Sequence, residues 1–374
     1  MTGTRILQPG EPAPWFRQRS TSNPNYAFDT VGGRYVVLCF HHSAGDAAGR
    51  EMLRIVEERR TLFDDDTVAF FGVSTDPADE KEQRLKPMLP GVRYFWDFDR
   101  KVSQLYGVSG LQGDRRVWMV MDPTLRIRAV FQSEGGAEWR KVADYLASLP
   151  PVAEHPGVPV HAPVLVLPNV FEPQFCERLI GLYETHGGRE SGFMREVDGK
   201  TTRLFDNAHK RRSDFDIEDK TLQAELRMRI IRKVVPEISR IHNFKVTRME
   251  RYIVACYDSV TGGHFRPHRD NTSKGTAHRR FAVSINLNDA FEGGELYFPE
   301  YGQRSIKIPK GAAVVFSCAL MHAVTPVTAG RRFAFLPFLY DDAAAAIREA
   351  NNRYLARDVG QYHSNAAARP AADA

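Results

Sequence analysis

Apolar and polar positions follow a different pattern in each half of the chain. In the first half, continuous apolar runs of strand length alternate with segments whose apolar residues recur at helical spacing. In the second half, a helical part is followed by a succession of short apolar runs separated by turn residues. Alternating strands and helices indicate an α/β fold, and consecutive short strands indicate an all-β core. Two domains of different fold class are therefore predicted.

The first half carries the elements of an α/β sandwich that includes one antiparallel hairpin. The predicted elements are a strand at 34–40, a helix at 47–63, a strand at 67–74, a helix at 78–85, a hairpin of 116–123 with 125–131, and a helix at 138–149. This domain is expected to span residues 1–149. The next segment, 150–163, is rich in proline, which favours an extended spacer over a helix. It is predicted to be the linker.

The second domain is expected at 164–342, with a tail at 343–374. Its predicted elements are a strand at 164–171, helices at 173–186 and 217–241, a polar irregular segment at 194–216, and strands at 251–257, 281–288, 311–320 and 332–338. The tail is predicted to be helical to about residue 356 and disordered beyond it.

Composition narrows the class of protein. A chain of 374 residues with 43% hydrophobic residues is expected to form two globular domains with cores of their own. No apolar run approaches the roughly 18 residues that a membrane span needs, and residues 1–12 lack the apolar core of a signal peptide. The four cysteines are scattered without paired spacing. Reduced, buried thiols in a cytoplasmic protein are the expectation.

The positive charge is spread along the chain. The formal net charge is +5, and the densest basic clusters are Lys210–Arg212 and His278–Arg280. Both clusters are predicted to be solvated faces. The alternatives are that they help to bind an anionic co-substrate or partner, and that Lys210–Arg212 contacts an acidic substrate. No nucleic-acid-binding module is present in the pattern, so neither nucleic acid nor a membrane is expected as a partner.

A candidate metal site begins with His268 and Asp270, which follow a strand-like run. Two residues apart on an extended chain, their side chains point to the same side and can meet one ion. The third ligand is sought among the later histidines, where His278 lies in a polar turn and His363 in the tail. His322 ends an apolar strand and is placed to face a cavity, although taken alone a core histidine is the favoured interpretation. As a third ligand it would complete the two-histidine, one-carboxylate triad of non-haem Fe(II) oxygenases.

An arginine at the start of an aromatic strand adds to this site. Arg332 lies ten residues after His322, and a guanidinium entering such a strand is costly to bury without an anion. Its planar donors suit a carboxylate, so a dicarboxylate co-substrate is a natural partner. Arg331 is expected to face the opposite way.

This constellation resembles the 2-oxoglutarate/Fe(II)-dependent dioxygenases, and most closely their prolyl 4-hydroxylase-like branch. The resemblance covers about residues 160–342 and is supported by the local matches 255–257, 291–299, 322–327 and 330–332. It implies a double-stranded β-helix, or jelly-roll, with flanking helices. It further implies Fe(II) held by His268, Asp270 and His322. Arg332 would bind the far carboxylate of 2-oxoglutarate and Tyr257 would hydrogen-bond the same co-substrate.

The same resemblance implies hydroxylation of a C–H bond by O₂, with succinate and CO₂ as co-products and ascorbate as a reductant. A prolyl or other side chain of a protein is the favoured substrate, while free amino acids and small metabolites remain open. Asn286 stands near where relatives often place a tyrosine that contacts the co-substrate, so its role is left open. The sequence gives no indication of the oligomeric state.

The first domain resembles the peroxiredoxin and redoxin branch of the thioredoxin fold over roughly residues 8–149. Peroxiredoxins carry Pro-x-x-x-Thr-x-x-Cys after the first core strand, and the matching places here are His42, Asp46 and Gly49. The nearby Cys39 lies inside the strand, where apolar surroundings make a thiolate costly. Arg116 matches the family's arginine but has no thiolate to stabilise. Peroxidase activity is therefore not expected.

Three alternatives remain at this stage. The second domain could be a non-catalytic module that binds iron or 2-oxoglutarate within an interaction protein, or the chain could be a thiol peroxidase that uses Cys39. The polar cluster of His41, His42 and Asp46 could also have been adapted to contact a metal or a peptide. Without such a role, the first domain is expected to serve as a scaffold, a partner-docking surface or a substrate-recognition module.

Overall fold

The chain forms two compact units in a computed structural model that describes residues 5–110, 113–133 and 138–363. The first unit extends to Ala162 and also includes Phe298–Arg304. The second consists of Pro163–Tyr297 and the residues from Ser305 onward. The sequence predicts one boundary between the domains, at the linker. It does not predict that Phe298–Arg304, from the second half of the chain, groups with the first unit. The segment between the units contains a short 3₁₀ turn, Val152–Glu154, within the stretch that was expected to be extended.

The first unit is the α/β sandwich that the sequence predicts. Its strands are β1 Arg17–Gln18, β2 Tyr26–Ala27, β3 Tyr35–His42, β4 Val68–Ser74, β5 Val92–Trp96, β6 Ser109–Gly110, β7 Gly113–Asp114, β8 Val117–Met121 and β9 Ile127–Gln132. Its helices are α1 Ala47–Glu58, α2 Pro77–Lys81, α3 Lys101–Leu105 and α4 Glu138–Ala147. The central sheet has the order β5-β4-β3-β8-β9, in which β3 is parallel to β4 and antiparallel to β8. The predicted hairpin of β8 and β9 is confirmed, and β5 is a strand that the sequence analysis missed.

Strand β3 is buried along its whole length because both faces of the sheet are covered. Val36, Leu38 and Phe40 pack into one core, and Val37 and Cys39 pack into the core on the opposite face. A strand covered on both sides has to be apolar at successive positions, which accounts for the continuous run in the sequence. The strand ends at His42, two residues later than predicted, so His41 belongs to the buried sheet.

Buried His41 is expected to make the first unit sensitive to acid. Neither of its ring nitrogens hydrogen-bonds to the described part of the chain, and burial together with neighbouring His42 lowers the pKa of His41 to about 3. In the unfolded chain the same imidazole takes up a proton near pH 6.5. Its contribution to stability is therefore complete above about pH 6.5 and is lost progressively as the pH falls from 6.5 towards 3.

Urea unfolding at several pH values between 7 and 5 tests this prediction. All four tryptophans lie in the first unit, so their fluorescence reports on its unfolding. We expect His41→Gln to make the free energy of unfolding less dependent on pH than in the wild type, by up to about 1.4 kcal/mol per pH unit. The control His161→Gln changes an exposed histidine and should keep the wild-type slope. An unchanged slope in His41→Gln would contradict the prediction.

The second unit is the predicted double-stranded β-helix with flanking helices. Its helices are α5 Pro173–His186, α6 Lys220–Lys233, α7 Val235–His242 and α8 Asp342–Ala350. Its first strands are β10 Leu165–Leu167, β11 Arg189–Glu190, β12 Phe193–Val197, β13 Lys200–Leu204, β14 Lys210–Arg211, β15 Ser213–Asp216, β16 Arg248–Glu250, β17 Ile253–Asp258 and β18 His264–His268. The remaining strands are β19 Phe281–Asn286, β20 Phe291–Gly293, β21 Leu296–Tyr297, β22 Ser305–Ile306, β23 Ala313–Ser317, β24 His322–Val324, β25 Val327–Phe335 and β26 Phe338–Tyr340.

Two large sheets carry most of these strands, and β12 and β13 form a separate two-stranded sheet. The larger sheet follows the path β10-β23-β19-β25-β17-β15-β11, and the smaller one has the order β14-β18-β24-β21-β22. Helices α5, α6 and α7 cover one face of the larger sheet through an apolar core that includes Leu179, Leu226 and Ile238. Because side chains alternate along a strand, every second residue of the central strands points away from these helices.

Two predictions in this unit are wrong. Residues 194–216 are not irregular but form strands, among them the hairpin of β12 and β13. Its turn, Asp198–Gly199, has positive φ at both residues, which Asp-Gly favours in a two-residue hairpin, so a local signal was present. The predicted helix at 217–241 is divided into α6 and α7 at Val234, because Pro236 cannot donate a backbone hydrogen bond within a continuing helix.

The tail begins with α8 and continues through a 3₁₀ turn, Asn351–Tyr354, in place of one longer helix. The predicted disorder at its end falls mainly on residues 364–374, which lie outside the described residues. None of the helices in the described part of the chain combines the length and apolar character that crossing a membrane would require.

Candidate metal centre

The candidate site lies on the face of the larger sheet that points away from the helices. On strand β19, Val283 and Ile285 pack towards the helices, so Ser284 and Asn286 point to the other side. Strands β17 and β25 follow the same alternation. Tyr257 lies directly opposite Arg332 in the antiparallel register, so both side chains share one face.

Three ligand-type side chains converge above this face. His268 ends β18 and lies opposite His322 of β24, which brings the two imidazoles together across the smaller sheet. Asp270 follows β18, and its backbone N–H donates to the carbonyl of Cys318 at 3.0 Å. The Asp270 carboxylate lies 3.7 Å from Nε2 of His268 and 3.3 Å from Nε2 of His322. One ligand atom from each residue lies within 4.8 Å of the others.

Hydrogen bonds orient both imidazoles for metal binding. Nδ1 of His268 donates to the carbonyl of Arg266 at 2.8 Å, and Nδ1 of His322 donates to the carbonyl of Leu320 at 3.0 Å. Since a carbonyl only accepts, the proton of each neutral ring is on Nδ1 and the lone pair of Nε2 faces the carboxylate. Burial, and then the adjacent His322, hold the pKa of His268 well below its ordinary value, which favours the neutral, ligating form. These residues fit a divalent metal of the Fe(II) type.

Arg332 is buried at the base of the same cavity. Its Nε donates to Oδ1 of Asn286 at 3.0 Å and its Nη2 donates to Oγ of Ser284 at 2.9 Å. Both partners are neutral, and no carboxylate of the described residues forms an ion pair with this guanidinium. Burial lowers the pKa of Arg332 because the cation is removed from water. An anionic ligand would supply the missing charge, as the carboxylate of a dicarboxylic acid does.

Asn286 is a support for this arginine. While its Oδ1 accepts from Arg332, its Nδ2 donates to the carbonyl of Ile308 at 2.9 Å, which fixes the amide orientation. The side chain therefore sets the direction of the guanidinium, a role that the sequence did not reveal.

Tyr257 stands between two guanidinium groups. The guanidinium carbon of Arg332 lies 5.4 Å from the centre of its ring and that of Arg212 lies 5.6 Å from it. Nη1 of Arg212 also donates to the Tyr257 hydroxyl at 3.3 Å, which leaves the hydroxyl hydrogen available to a ligand. Arg212 is itself held by both carboxylate oxygens of Asp214 at 2.7 Å each. The sequence analysis did not assign Arg212 to the site.

Apolar side chains form another part of the cavity wall. The ring of Phe265 stacks on His268 with centroids 3.5 Å apart, and the ring of Phe316 meets His322 edge-on at 4.6 Å. Leu296 and Val324 complete this wall. Such a lining holds the imidazoles in place and limits the access of water to the ligand atoms.

Two predictions about the basic clusters are wrong. His278 is buried, not at the surface, because its Nε2 hydrogen-bonds to Oε1 of Glu250 at 3.1 Å. Within the cluster at 210–212, Lys210 and Arg212 are buried and only Arg211 is exposed. Lys210 donates to polar groups on the neighbouring strand segment, and Arg212 joins the candidate site.

The polar cluster of the first unit does not assemble a second metal centre. Asp46 forms an ion pair with Arg116, and Nε2 of His42 donates to the carbonyl of Arg115 at 3.0 Å. His41 points into the sheet core. Within residues 5–110, 113–133 and 138–363, the group of His268, Asp270 and His322 is the only set of three or more such side chains close enough to hold one ion.

Comparisons with known proteins agree with both halves of the structure. The sequence profile of the 2OG-Fe(II) oxygenase superfamily matches residues 252–340, and that of the AhpC/TSA family matches residues 9–130. A PKHD-type hydroxylase of Bordetella pertussis is 31% identical over 170 residues, which are 42% of this chain and 72% of the relative. A PKHD-type hydroxylase of Hyphomonas neptunium is 32% identical over 124 residues, which are 31% of this chain and 53% of the relative.

The chain spans about half the length of several of these curated relatives. Among solved structures, a prolyl hydroxylase from Trichoplax adhaerens in complex with a hypoxia inducible factor peptide fragment has a TM-score of 0.39 and 20% identity. The similarity covers 49% of this chain and 86% of that one. On the sequence similarity, the chain belongs to the 2OG-Fe(II) oxygenase superfamily through its C-terminal domain, which follows an N-terminal domain that matches the AhpC/TSA family profile.

Proposed function

We propose that this protein is an Fe(II)- and 2-oxoglutarate-dependent dioxygenase that hydroxylates a C–H bond of its substrate. One observation carries the proposal. The converging side chains of His268, Asp270 and His322 share a cavity with a buried arginine, Arg332, that has no carboxylate partner among the described residues. A non-catalytic binding module would not need both a metal triad and an anchor for a second carboxylate.

Some of the side chains in this cavity would bind the metal, and others would bind the co-substrate. His268 and His322 would offer their Nε2 lone pairs and Asp270 one carboxylate oxygen, which leaves part of the coordination sphere for other ligands. Bound ferrous iron supplies the redox chemistry that couples O₂ to the decarboxylation of 2-oxoglutarate, giving succinate, CO₂ and a hydroxylated product.

The remaining residues bind and orient the co-substrate. Arg332 and Ser284 would bind the far carboxylate of 2-oxoglutarate, and the Tyr257 hydroxyl would donate to it. Asn286 would hold the guanidinium of Arg332 in the direction that this contact needs. The apolar wall around Phe265 and Phe316 would keep water from the reacting atoms.

The names of the relatives support hydroxylation as the reaction. We propose a side chain of a protein or peptide, such as a prolyl ring, as the substrate class, with free amino acids and other small metabolites as the alternative. Ascorbate would serve as an external reductant that keeps the iron ferrous.

We further propose that the N-terminal domain is not a thiol peroxidase. Cys39 is buried in β3, and burial raises the pKa of its thiol well above the ordinary value. At Gly49, which occupies the place of the peroxidatic cysteine, an added Cβ would lie 1.9 Å from the carbonyl oxygen of Ser43. A side chain does not fit there without moving the backbone. The domain is then free to act as a scaffold or as a docking surface for the substrate.

The experiment uses the purified full-length chain with Fe(II), 2-oxoglutarate and ascorbate under air. We expect succinate to form, and mass spectrometry of a treated lysate should find products that are heavier by one oxygen, about 16 Da. Omitting 2-oxoglutarate is the control. Absence of both succinate and 2-oxoglutarate binding would show that the domain is not an oxygenase.

A further inference from the structure

Arg251 is a third guanidinium group at the cavity, separate from Arg332 at its base and from Arg212. It precedes β17, lines the same cavity as His268 and Asp270, and keeps about 25% of its side chain exposed. Its backbone φ is 71°, a left-handed conformation that a non-glycine residue adopts only where the surrounding structure imposes it. The backbone strain at this position is consistent with a functional placement of the side chain.

The hydrogen-bonding capacity of Arg251 is largely unused. Its guanidinium makes one long hydrogen bond, from Nη2 to Oδ2 of Asp214 at 3.5 Å, and lies 5.3 Å from the centre of the Phe338 ring. Asp214 is already occupied, because it accepts two bonds from Arg212 at 2.7 Å each and another from Ser191. A guanidinium has five N–H donors, so Arg251 keeps donors for a further acceptor.

The charges around the cavity leave a positive excess after the co-substrate has bound. Three guanidinium groups line the wall, namely Arg212, Arg251 and Arg332. Among the described residues, the carboxylates that oppose these guanidinium groups are those of Asp214 and Asp270, and the two charges of a ferrous ion would be matched by the two carboxylates of 2-oxoglutarate. One positive charge therefore remains uncompensated in a partly buried site, where an unpaired charge is costly.

We propose that Arg251 binds a carboxylate of the primary substrate, so that the enzyme acts on a carboxylate-bearing compound or segment. The proposal rests on the oxygenase function proposed above and narrows its substrate class. A carboxylate matches the planar donors of the guanidinium in a bidentate manner, and binding it would remove the residual charge. The carboxylate could belong to a free amino acid or to an acidic side chain of a peptide, and both sources present the same group.

The test compares acids with their amides as probes. One set contains free L-amino acids and their carboxamides, and the other contains peptides with glutamate and the same peptides with glutamine. Calorimetry with protein loaded with Mn(II) and 2-oxoglutarate measures binding, and succinate release with Fe(II) measures stimulated turnover. We expect at least one acid to bind and to stimulate, and its amide to bind more weakly by at least about 10-fold. The set that contains this acid identifies the source of the carboxylate.

Variants connect this preference to Arg251. Arg251→Gln should raise the Kd and the KM of that acid by roughly 10- to 100-fold and remove the difference between acid and amide. Arg251→Lys keeps the charge without the planar donors and should give a smaller loss, which preserves the test if the glutamine variant does not fold. Arg331→Gln removes an exposed arginine of β25 that pairs with Glu184, and it should leave the preference unchanged.

Two kinds of negative result can be told apart. If 2-oxoglutarate binds and is turned over, but acids and amides are equivalent, or no acid binds, or Arg251→Gln behaves like the wild type, then the assignment of Arg251 is wrong and the oxygenase function stands. If 2-oxoglutarate neither binds nor is consumed in any mixture, both proposals fail.

Discussion

His268→Ala is expected to abolish the conversion of 2-oxoglutarate to succinate. The substitution removes one of two imidazoles whose Nε2 atoms face Asp270, so a divalent ion would keep only His322 and the carboxylate. Loss of residues that merely support a metal ligand typically costs 10- to 100-fold in metal affinity, so loss of a ligand should exceed about 100-fold. Calorimetry with Mn(II) measures the affinity, and succinate release measures turnover.

A second histidine of the same strand provides a matched control. His264 also lies on β18, and its Nδ1 hydrogen-bonds to the carbonyl two residues earlier, Gly262, at 2.7 Å. It does not line the cavity, so His264→Ala should retain both metal binding and turnover. Metal binding of equal strength in His268→Ala and the wild type would show that the three residues are not the ligand set.

Arg332→Gln is expected to have the second-largest effect, and it should act on the co-substrate and not on the metal. Glutamine can still donate to Ser284 or Asn286, but it cannot offer a bidentate charged contact to a carboxylate. Two charge-assisted hydrogen bonds contribute about 3–5 kcal/mol, so the Kd for 2-oxoglutarate should rise on the order of 10²- to 10³-fold. Calorimetry on protein loaded with Mn(II) measures this constant directly.

Arg331, the neighbour of Arg332 in the sequence, provides a control. It distinguishes the loss of the buried guanidinium from the loss of one positive charge. Arg331 faces the opposite side of β25 and forms an ion pair with Glu184 at 2.7 Å. The affinity of Arg331→Gln for 2-oxoglutarate should equal that of the wild type. Equal affinity in Arg332→Gln would mean that the buried guanidinium is not the anchor and that another cation of the cavity takes this role.

Several features of the site follow from local sequence patterns. The spacing of His268 and Asp270 predicts that their side chains point the same way, because alternation along an extended chain depends only on neighbouring residues. The same rule predicts that Arg331 and Arg332 face opposite sides, and the structure confirms this with one exposed and one buried residue. The α/β class of the first domain and the all-β core of the second follow from the order of strands and helices, which is also locally encoded, whereas the jelly-roll arrangement was implied by the family resemblance.

Other features depend on which segments meet in space. His278 was expected at the surface because its neighbours in sequence are basic, yet Glu250, from a distant strand, makes its burial favourable. Residues 194–216 were expected to be irregular because their strands are polar, and pairing with other strands supplies the order that apolar periodicity does not indicate. Neither the partner of His278 nor the strands that pair with residues 194–216 can be identified from the local sequence alone.

The sequence by itself determined the three metal-ligand candidates, the candidate anchor arginine and the two fold classes. Only the tertiary structure showed that Arg212, Asn286 and Arg251 belong to the same site. The physical reason is that the role of a charged or amide side chain depends on its burial and its partners. Arg212 donates to the hydroxyl of Tyr257, and Arg332 donates to Asn286 and Ser284, across strands that are far apart in the sequence.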